Sequence, residues 1–444
     1  MSQVRARALG QAFAENRPHL VQKGHLTPLI PPSEFADRRA KVLQHMKPSS
    51  LAIVPGNVVQ FASPSVFHPF RQDPTMQYLT GFLESDACLL LHKGSDSSIA
   101  EEILLVNEKD TWAEKWEGDR TGTELIPELL GIETALPNSK LRQTVTSLLG
   151  SVSTVYADLS PKATVRAGPF FHHELPALAH NSKASVRELS DLVNPLRAIK
   201  SENEIDAMRM AAEISAIGYN RAFRQEFYSE HQLHAFLDFM FRNSGGESDA
   251  YLAVVAGGAH ALTIHYVRND DVLQPGDLVL VDAGARYGGY CADISRTWPV
   301  NGKFSGPQRD LYEAVLNVNK ACIERCTVSS GMSLHDIHRF SEKQMQIELA
   351  NAGLELPRSL VSVAYPHSIG HHLGLDVHDV SVQGQLEANN VITIEPGVYI
   401  PFDDRFPKAY QGIGIRIEDN IVVGITGYEN LTIDTLKEVE EVQR

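Results

Sequence analysis

The sequence predicts two domains, a smaller α/β domain followed by a larger domain of α+β class. Apolar segments of strand length alternate with helical segments in the first part of the chain. In the second part, four long segments with helical periodicity stand apart from groups of strands, as in folds whose helices cover an antiparallel sheet. The Asn194-Pro195 pair separates the two parts. We therefore expect domains at residues 1–195 and 196–444.

The composition excludes several function classes. The chain has 444 residues, of which 43% are hydrophobic, and a net charge of −15 from 40 basic and 55 acidic side chains. This acidic balance argues against nucleic acid as the main partner. No apolar run reaches the ~18 residues that a membrane span requires. Four cysteines in a chain of this length do not form a disulfide scaffold.

The first part combines short strands with a helix that should run from Ser33 to about Met46. The expected strands are Leu51–Val54, Ala87–Leu91, Ile103–Val106 and Thr154–Tyr156. Trp112 and Trp116 lie close together in the sequence, and aromatic residues grouped in this way more often pack or form an interface than perform chemistry.

The second part contains the predicted helices and strands of the α+β domain. Ser201 and Glu204 match a capping box, which starts the first helix. Three further helices are expected at His231–Arg242, from Gly306 onwards, and from the cap Ser333 to about Leu349. The expected strands are Leu252–Ala256, Thr263–Tyr266, Val391–Ile400 and Ile413–Val423, together with a hairpin at Val279–Thr297.

This hairpin carries one carboxylate on each strand. A turn centred between Tyr287 and Gly288 would place Asp282 directly opposite Asp293. Directly opposed Cβ atoms lie ~5 Å apart, so the two like charges would repel each other. A bound divalent cation would offset the repulsion, because such ions prefer carboxylate oxygens. The alternative is that both aspartates are solvated in an exposed hairpin.

Three later segments favour the metal interpretation. The segment 366–379 is rich in His and Gly, and Glu395 and Glu418 each interrupt an apolar strand pattern. An unpaired buried carboxylate is very costly, so each needs a partner. Arg416 could serve one of them in a structural ion pair, whereas one metal centre would satisfy all of them together.

The order Asp, Asp, His, Glu, Glu resembles the metal-binding set of the pita-bread metallopeptidases. The segments around these residues are similar to the aminopeptidase P branch of that family, at Ile264–Tyr266, Cys291–Pro299, His371–Asp379 and Ile394–Gly397. Matching segments in the first half are Phe70–Asp73 and Tyr78–Phe82. Within the branch, Trp112–Gly118 and Asp310–Val318 most resemble the mitochondrial intermediate-cleaving peptidases. The resemblance covers nearly the whole chain.

The resemblance implies a pita-bread fold for the second domain, a smaller aminopeptidase P-like α/β domain before it, and a set of site residues. The implied metal ligands are Asp282, Asp293, His371, Glu395 and Glu418, which would hold two divalent ions, with Mn²⁺ favoured by the oxygen-rich set. The implied catalytic residues are His265, His367, His378, Glu395 and Arg416. His265 and His378 would stabilise the oxyanion and substrate, His367 matches a further active-site histidine, and Glu395 would carry a proton. Candidates for substrate or interface contact are Trp116 and Tyr399.

The resemblance also implies a function. We expect a metallo-aminopeptidase that removes one N-terminal residue, a bulky Tyr, Leu or Phe, from imported mitochondrial proteins after presequence cleavage. The alternatives are an Xaa-Pro aminopeptidase or prolidase on the same scaffold, a non-catalytic binding module, and a metal-free creatinase-like hydrolase. The complete ligand set argues against the last two. The expected partners are the N-termini of peptides and proteins, and a homo-oligomer is left open.

A mitochondrial location follows from the same resemblance, with the transit segment expected to be largely absent from this chain. Arg5 and Arg7 precede the first acidic residue, Glu15, which suggests the remnant of a targeting segment. An ordinary chain terminus is the alternative.

Overall fold

The computed structural model describes residues 9–96, 100–380 and 382–443, and the chain divides into two units, Met1–Arg197 and Ala198–Arg444. Arg5 and Arg7, on which the expectation of a targeting remnant rests, lie outside the described residues. Within the described residues, no helix combines the length and the apolar character that crossing a membrane requires.

The N-terminal unit is built on a mixed sheet. Its strands are β1 (Ser50–Pro55), β2 (Phe61–Ser63), β3 (Val66–Phe67), β4 (Cys88–Lys93), β5 (Ala100–Val106), β6 (Thr134–Pro137), β7 (Thr154–Tyr156) and β8 (Ser185–Arg187). Among the described residues, six of them form one sheet in the order β6-β5-β4-β1-β7-β8. Neighbours are antiparallel at β1–β4 and β4–β5, and parallel at β1–β7, β5–β6 and β7–β8. The four expected strands are present, and the α/β class is confirmed.

Short helices connect these strands. They are α1 (Pro32–His45), α2 (Pro74–Thr80), α3 (Thr111–Glu117), α4 (Ile126–Leu130), α5 (Leu141–Leu149), α6 (Pro161–Thr164), α7 (Leu175–Asn181) and α8 (Ser190–Ala198). Helix α1 begins at Pro32, one residue before the predicted start, because the fixed φ of proline suits the first helical turn.

The helices of the C-terminal unit are α9 (Glu202–Ala222), α10 (Glu230–Asn243), α11 (Gly306–Ile323), α12 (Leu334–Asn351), α13 (Arg358–Ala364) and α14 (Val439–Val442). The predicted capping box of α9 is confirmed, since Ser201 Oγ accepts from the Glu204 amide at 3.1 Å and Glu204 Oε2 accepts from the Ser201 amide at 2.9 Å. Ser333 caps α12 in the same way. The four predicted helices are therefore confirmed.

The strands of this unit form small antiparallel sheets. They are β9 (Ser248–Asp249), β10 (Val254–Gly257), β11 (Leu278–Ala283), β12 (Ala285–Tyr287), β13 (Tyr290–Cys291), β14 (Ile294–Pro299), β15 (Val391–Ile394), β16 (Gly397–Tyr399), β17 (Gly414–Arg416), β18 (Asp419–Val423) and β19 (Tyr428–Asn430). Their described orders are β10-β11-β14, β13-β12-β9, β15-β18-β19 and β16-β17. One hydrophobic core joins helices and sheets, through Tyr219, Leu237, Val281, Val315 and Ile421 among others. The α+β class is confirmed.

The central hairpin forms with a register that differs from the predicted one. Its turn is Gly288-Gly289, with φ of 58° and 87°, and a two-residue hairpin turn of this kind requires positive φ at both positions. Asp282 consequently pairs with Ser295, so the prediction that it stands directly opposite Asp293 is wrong. The error is two residues along one strand, which leaves every side chain on its predicted face. Asp282 and Asp293 therefore remain diagonal neighbours on one face.

Two strands that the sequence predicts as continuous are each interrupted at a glutamate. The predicted strand Val391–Ile400 is divided into β15 and β16, and Ile413–Val423 is divided into β17 and β18. The pairing partner changes at the interruptions, since β15 pairs with β18 and β16 pairs with β17. Glu395 and Glu418 lie in these two interruptions, where their side chains are released from the alternation of a regular strand.

The predicted strand at Thr263–Tyr266 is wrong. A short 3₁₀ helix, Gly258–Leu262, follows β10, and a turn closed by the Tyr266 amide donating to the Thr263 carbonyl at 3.2 Å comes next. His265 therefore lies in a loop.

Candidate active site

Asp282 and Asp293 meet at one tyrosine. Asp282 lies on β11, and Asp293 lies between β13 and β14. The Tyr251 hydroxyl is 2.5 Å from Asp282 Oδ1 and 2.5 Å from Asp293 Oδ1. Burial raises the pKa of Asp282. Burial also opposes ionisation of Asp293, but the hydrogen bond and charge of His371 outweigh it and lower the pKa of Asp293.

Glu418 and Glu395 bring two further carboxylates to this position. Glu418 is 1% exposed, and its Oε2 accepts from Ser295 Oγ at 2.7 Å. Its Oε1 is buried without a hydrogen-bond partner among the described residues. Burial, followed by the charges of neighbouring carboxylates, raises the pKa of Glu418 well above its usual range. Burial likewise raises the pKa of Glu395 to about 7.

His371 contacts these carboxylates through one ring nitrogen. Its Nε2 lies 3.4 Å from Asp293 Oδ2 and 3.5 Å from Glu395 Oε1. Its Nδ1 donates to the His372 carbonyl oxygen at 3.0 Å, the contact that typically orients a metal-binding histidine. Burial opposes protonation, but Asp293 and Glu395 outweigh it and raise the pKa of His371 to about 9. One ligand atom each from Asp293, His371 and Glu418 lie within 4.8 Å of one another.

The donor set fits a divalent metal ion. Asp293 and Glu418 are buried and Asp282 and Glu395 are partly buried, so the four carboxylates repel one another. A buried carboxylate oxygen without a donor among the described residues, such as Oε1 of Glu418, is costly. A cation would satisfy that oxygen and the neighbouring charges together. Because the set offers many oxygens, one imidazole nitrogen and no sulfur, it suits a hard ion such as Mn²⁺ better than a thiolate-type zinc site.

A chain of hydrogen bonds links the carboxylates to His367. Arg416 Nη2 contacts Asp282 Oδ2 at 2.6 Å, and Arg416 Nη1 donates to the Tyr399 hydroxyl at 2.7 Å. That hydroxyl lies 2.9 Å from His367 Nε2, and His367 Nδ1 lies 2.8 Å from the Ser368 carbonyl oxygen. Nδ1 must donate to the carbonyl, so Nε2 accepts from Tyr399. Burial and the nearby Arg416 charge lower the pKa of His367 to about 4, so the ring is neutral near pH 7.

Two further imidazoles stand near this centre. The His378 ring lies 4.3 Å from the His371 ring, in an edge-to-face arrangement. Burial lowers the pKa of His378, and the charges of His371 and His265 lower it further. The neighbours of His265, Ile264 and Tyr266, pack in one hydrophobic cluster with Tyr399, which contacts His367, so the segment that carries His265 lies beside this centre. Both His265 and His378 are solvent-exposed, as groups that meet a substrate should be.

Trp116 lies in the N-terminal unit, on α3. Its side chain is 67% exposed and stands edge-to-face with Trp112, with ring centroids 5.9 Å apart. An exposed aromatic pair of this kind is available for contact, and the role of Trp116 at an interface stays a prediction.

Sequence reasoning missed three residues that support the carboxylates: Tyr251 and Asn420 contact the aspartates, and Ser295 donates to Glu418. Tyr251 is 31 positions before Asp282, and no local pattern connects them. Ser295 and Asn420 could have been found, because each lies two residues after an expected ligand and strand side chains two apart share a face. Asn420 Oδ1 accepts from the Asp293 amide at 3.0 Å, and Asn420 Nδ2 donates to the Asp293 carbonyl, which holds the backbone of this ligand candidate.

Comparison with known proteins places this geometry in a family. Metallopeptidase family M24 matches residues 206–424, and the aminopeptidase P N-terminal domain matches residues 35–156. Intermediate cleaving peptidase 55 of Saccharomyces cerevisiae is 42% identical over 98% of this chain and 88% of its own length. A crystal structure of Icp55 from the same yeast superimposes with a TM-score of 0.87, at 40% identity over 95% of this chain and 98% of the other. Aminopeptidase P from E. coli with the inhibitor Pro-Leu gives a TM-score of 0.85, at 34% identity over 93% and 97% of the two chains.

The chain belongs to metallopeptidase family M24, in its aminopeptidase P branch. The C-terminal unit has the pita-bread fold expected from the sequence. The protein is accordingly a metallo-aminopeptidase, a hydrolase of peptide bonds that depends on divalent metal ions. Within the branch, its sequence is more similar to the yeast intermediate cleaving peptidase than to the E. coli aminopeptidase P.

Proposed function

We propose that this enzyme uses two divalent ions, Mn²⁺ under working conditions, to release one residue from the N-termini of peptides and proteins. The observation that supports this most strongly is the buried Glu418 oxygen, which has no partner in the described part of the chain, beside Asp293, His371 and two further carboxylates. Asp282, Asp293, His371, Glu395 and Glu418 would hold the two ions. When bound, such ions supply Lewis-acid polarisation and an activated water.

The other residues would act on the substrate. His378 and His265, which are exposed beside the carboxylates, would donate to the oxyanion that develops on the scissile carbonyl. His367 would remain neutral and fixed in one tautomer by the Ser368 carbonyl, with Nε2 accepting from Tyr399. Glu395 would carry a proton to the leaving amine. Arg416 would hold Asp282 and Tyr399 in place, which makes it a positioning residue in this scheme although we predicted it as catalytic.

The substrates in this proposal are mitochondrial proteins after removal of their presequence, and the released residue is Tyr, Leu or Phe. Support comes from the similarity to the intermediate cleaving peptidases, one of which is described as mitochondrial. Residues 1–195 would form the aminopeptidase P-like domain and residues 196–444 the catalytic domain. Exposed Trp112 and Trp116 would contribute to a homo-oligomer interface.

A peptide panel tests this proposal. Metal-loaded enzyme is mixed with peptides that differ only in the first two residues, beginning with Tyr, Leu or Phe followed by Ala, or with the same residues followed by Pro. Mass spectrometry follows the loss of one residue. Preferential cleavage of the Ala series supports the proposal. Cleavage of the Pro series alone would make the enzyme an Xaa-Pro aminopeptidase, the second candidate, which the similarity to E. coli aminopeptidase P favours.

Blocking each end of the best peptide tests the exopeptidase assignment separately. An aminopeptidase must recognise a free amine at the scissile bond, so acetylating the N-terminus should abolish cleavage. Amidating the C-terminus is the matched control and should change the rate little. Cleavage of the acetylated peptide at the same rate would contradict the assignment, whichever residue the panel prefers.

A further inference from the structure

We propose that Glu230, at the start of α10, is a positioning residue that holds the loop carrying His265 at the active site. The proposal rests on the role given to His265 above. It concerns residues 257–271, the segment between β10 and the turn that precedes β11, which we name the His265 loop.

Glu230 contacts both ends and the middle of the His265 loop. Its side chain is fully buried. Oε1 accepts from the Gly257 amide at 2.9 Å and contacts His260 Nδ1 at 2.9 Å. Oε2 accepts from the Tyr266 hydroxyl at 2.8 Å and from the Asp271 amide at 2.9 Å. One carboxylate therefore accepts four hydrogen bonds, all from the same loop.

These contacts act on the position of His265 because the loop, beyond Gly257, pairs with no strand among the described residues. His265 is adjacent to Tyr266, whose hydroxyl Glu230 holds and whose ring stacks on His260 with centroids 4.4 Å apart. Ile264 and Tyr266, the two neighbours of His265, pack in one hydrophobic cluster with Tyr399, whose hydroxyl lies 2.9 Å from His367 Nε2. A shift of the Tyr266 ring would thus move His265 relative to the other imidazoles, and displacements of ~1 Å can cost about 100-fold in rate.

A second anchor keeps the loop folded when Glu230 is changed. Asn269, which is buried, accepts from the Val255 amide at 2.8 Å and donates to the Ala253 carbonyl at 2.9 Å. Altering Glu230 should therefore displace the middle of the loop without detaching it from β10. The side chain of Glu230 has no contact with the carboxylates of the metal site in the described structure, so metal binding should be unaffected.

The test is a double-mutant cycle in metal-loaded enzyme, using the best peptide of the panel. Glu230→Gln replaces one accepting oxygen by an amide that faces donors. We expect kcat to fall about 10-fold or more with metal content unchanged, and we expect Glu230→Gln to change kcat less than about 3-fold in the His265→Ala background. Ser229→Ala is the matched control, because it removes the cap of the same helix and should lower Tm without lowering kcat.

The outcomes separate the two proposals. If His265→Ala loses little activity, the role of His265 is wrong and the inference falls with it. If His265→Ala is severe but Glu230→Gln is harmless, or is equally harmful in both backgrounds, only the inference is overturned. Should Glu230→Gln fail to fold, Tyr266→Phe removes a single contact of the same carboxylate, and its loss of kcat must likewise disappear when His265 is absent.

Discussion

Replacing Glu418 with Gln should remove the stabilisation by metal and leave the metal-free protein as stable as before. Glu418 is 1% exposed, has one oxygen without a partner among the described residues, and faces three other carboxylates, so without metal burial and repulsion would favour its neutral acid form. Glutamine matches that neutral form in shape and can still accept from Ser295. We expect the free energy of unfolding to change by less than ~1 kcal/mol without metal.

The effect on the metal-bound protein should be large. At a metal concentration of about 100 times Kd, binding adds about 2.7 kcal/mol to the free energy of unfolding, a rise in Tm of roughly 5–10 °C for a unit of this size. Mutations around a metal site commonly cost 10- to 100-fold in affinity, even when a ligand itself is retained. A 100-fold loss would leave about 0.4 kcal/mol at the same concentration, so the rise in Tm would shrink to roughly 1–2 °C.

Asp419→Asn is the matched control. Asp419 is the next residue and equally buried, but its oxygens contact Arg296 Nη2 at 2.9 Å and Lys437 Nζ at 2.6 Å. Removing one charge from such a buried group leaves the others uncompensated and costs roughly 3–5 kcal/mol, with or without metal. The rise in Tm on adding metal should persist in Asp419→Asn, the reverse of the pattern expected for Glu418→Gln.

Thermal unfolding followed by circular dichroism, with and without Mn²⁺, gives the Tm of each of the two variants in both conditions. Isothermal titration calorimetry measures the metal affinity directly. If Glu418→Gln keeps the full rise in Tm and the parent affinity, Glu418 is not a metal ligand and the assigned site is wrong.

Three further predictions follow from the same structure. Chelation should abolish activity, with Mn²⁺ restoring it best, and active enzyme should contain two ions per chain; elemental analysis that finds no metal in active protein would contradict this. His378→Ala should keep its metal but lose on the order of 100-fold in kcat. The His378 ring stands beside that of His371, and no hydrogen bond or ion pair among the described residues joins it to the carboxylates, so we do not count His378 as a metal ligand. A kcat within a few-fold of the parent would exclude a role for His378 on the oxyanion. Burial and the charge of Asp238 raise the pKa of Asp249 to about 6 from 3.8, so the folded state loses stability as the pH rises from about 4 to 6. Asp249→Asn should therefore raise the free energy of unfolding by about 1 kcal/mol at pH 7.5, less than the full linkage value because the side chain is partly exposed. Urea unfolding measures this gain, which should vanish at pH 4.

Features that depend on neighbouring residues could be predicted from the sequence. The capping box of α9 is an example, because Ser201 and Glu204 satisfy each other's amides whatever surrounds the helix. The face shared by Asp282 and Asp293 is another, since it depends only on strand alternation. The hairpin register could also have been predicted, because a two-residue turn of this kind requires positive φ at both positions and the pair Gly288-Gly289 adopts it without strain.

Features that depend on distant segments could not be predicted. An apolar run with one charge has the pattern of a continuous strand, yet the pairing partner changes at Glu395, from β18 before it to β17 after it. The run Thr263–Tyr266 has the composition of a strand, but it finds no partner to pair with in the described structure, and Glu230 fixes it instead. Tyr251 gives no signal at all, because a single tyrosine near a strand is most often part of the core.

The interruptions also explain how the site can hold its shape before metal arrives. The Glu395 amide donates at 2.7 Å to the carbonyl of Ile369, two residues before His371. The Glu418 amide donates at 3.0 Å to the carbonyl of Ser295, two residues after Asp293. Each glutamate is therefore tied by its backbone to the segment that carries another ligand candidate. The backbone sets the positions of the donors, while their mutual repulsion can be relieved only by added positive charge. Metal binding should then order little of the chain, so the stabilisation that metal gives should report the affinity of the site and not the folding of a loop.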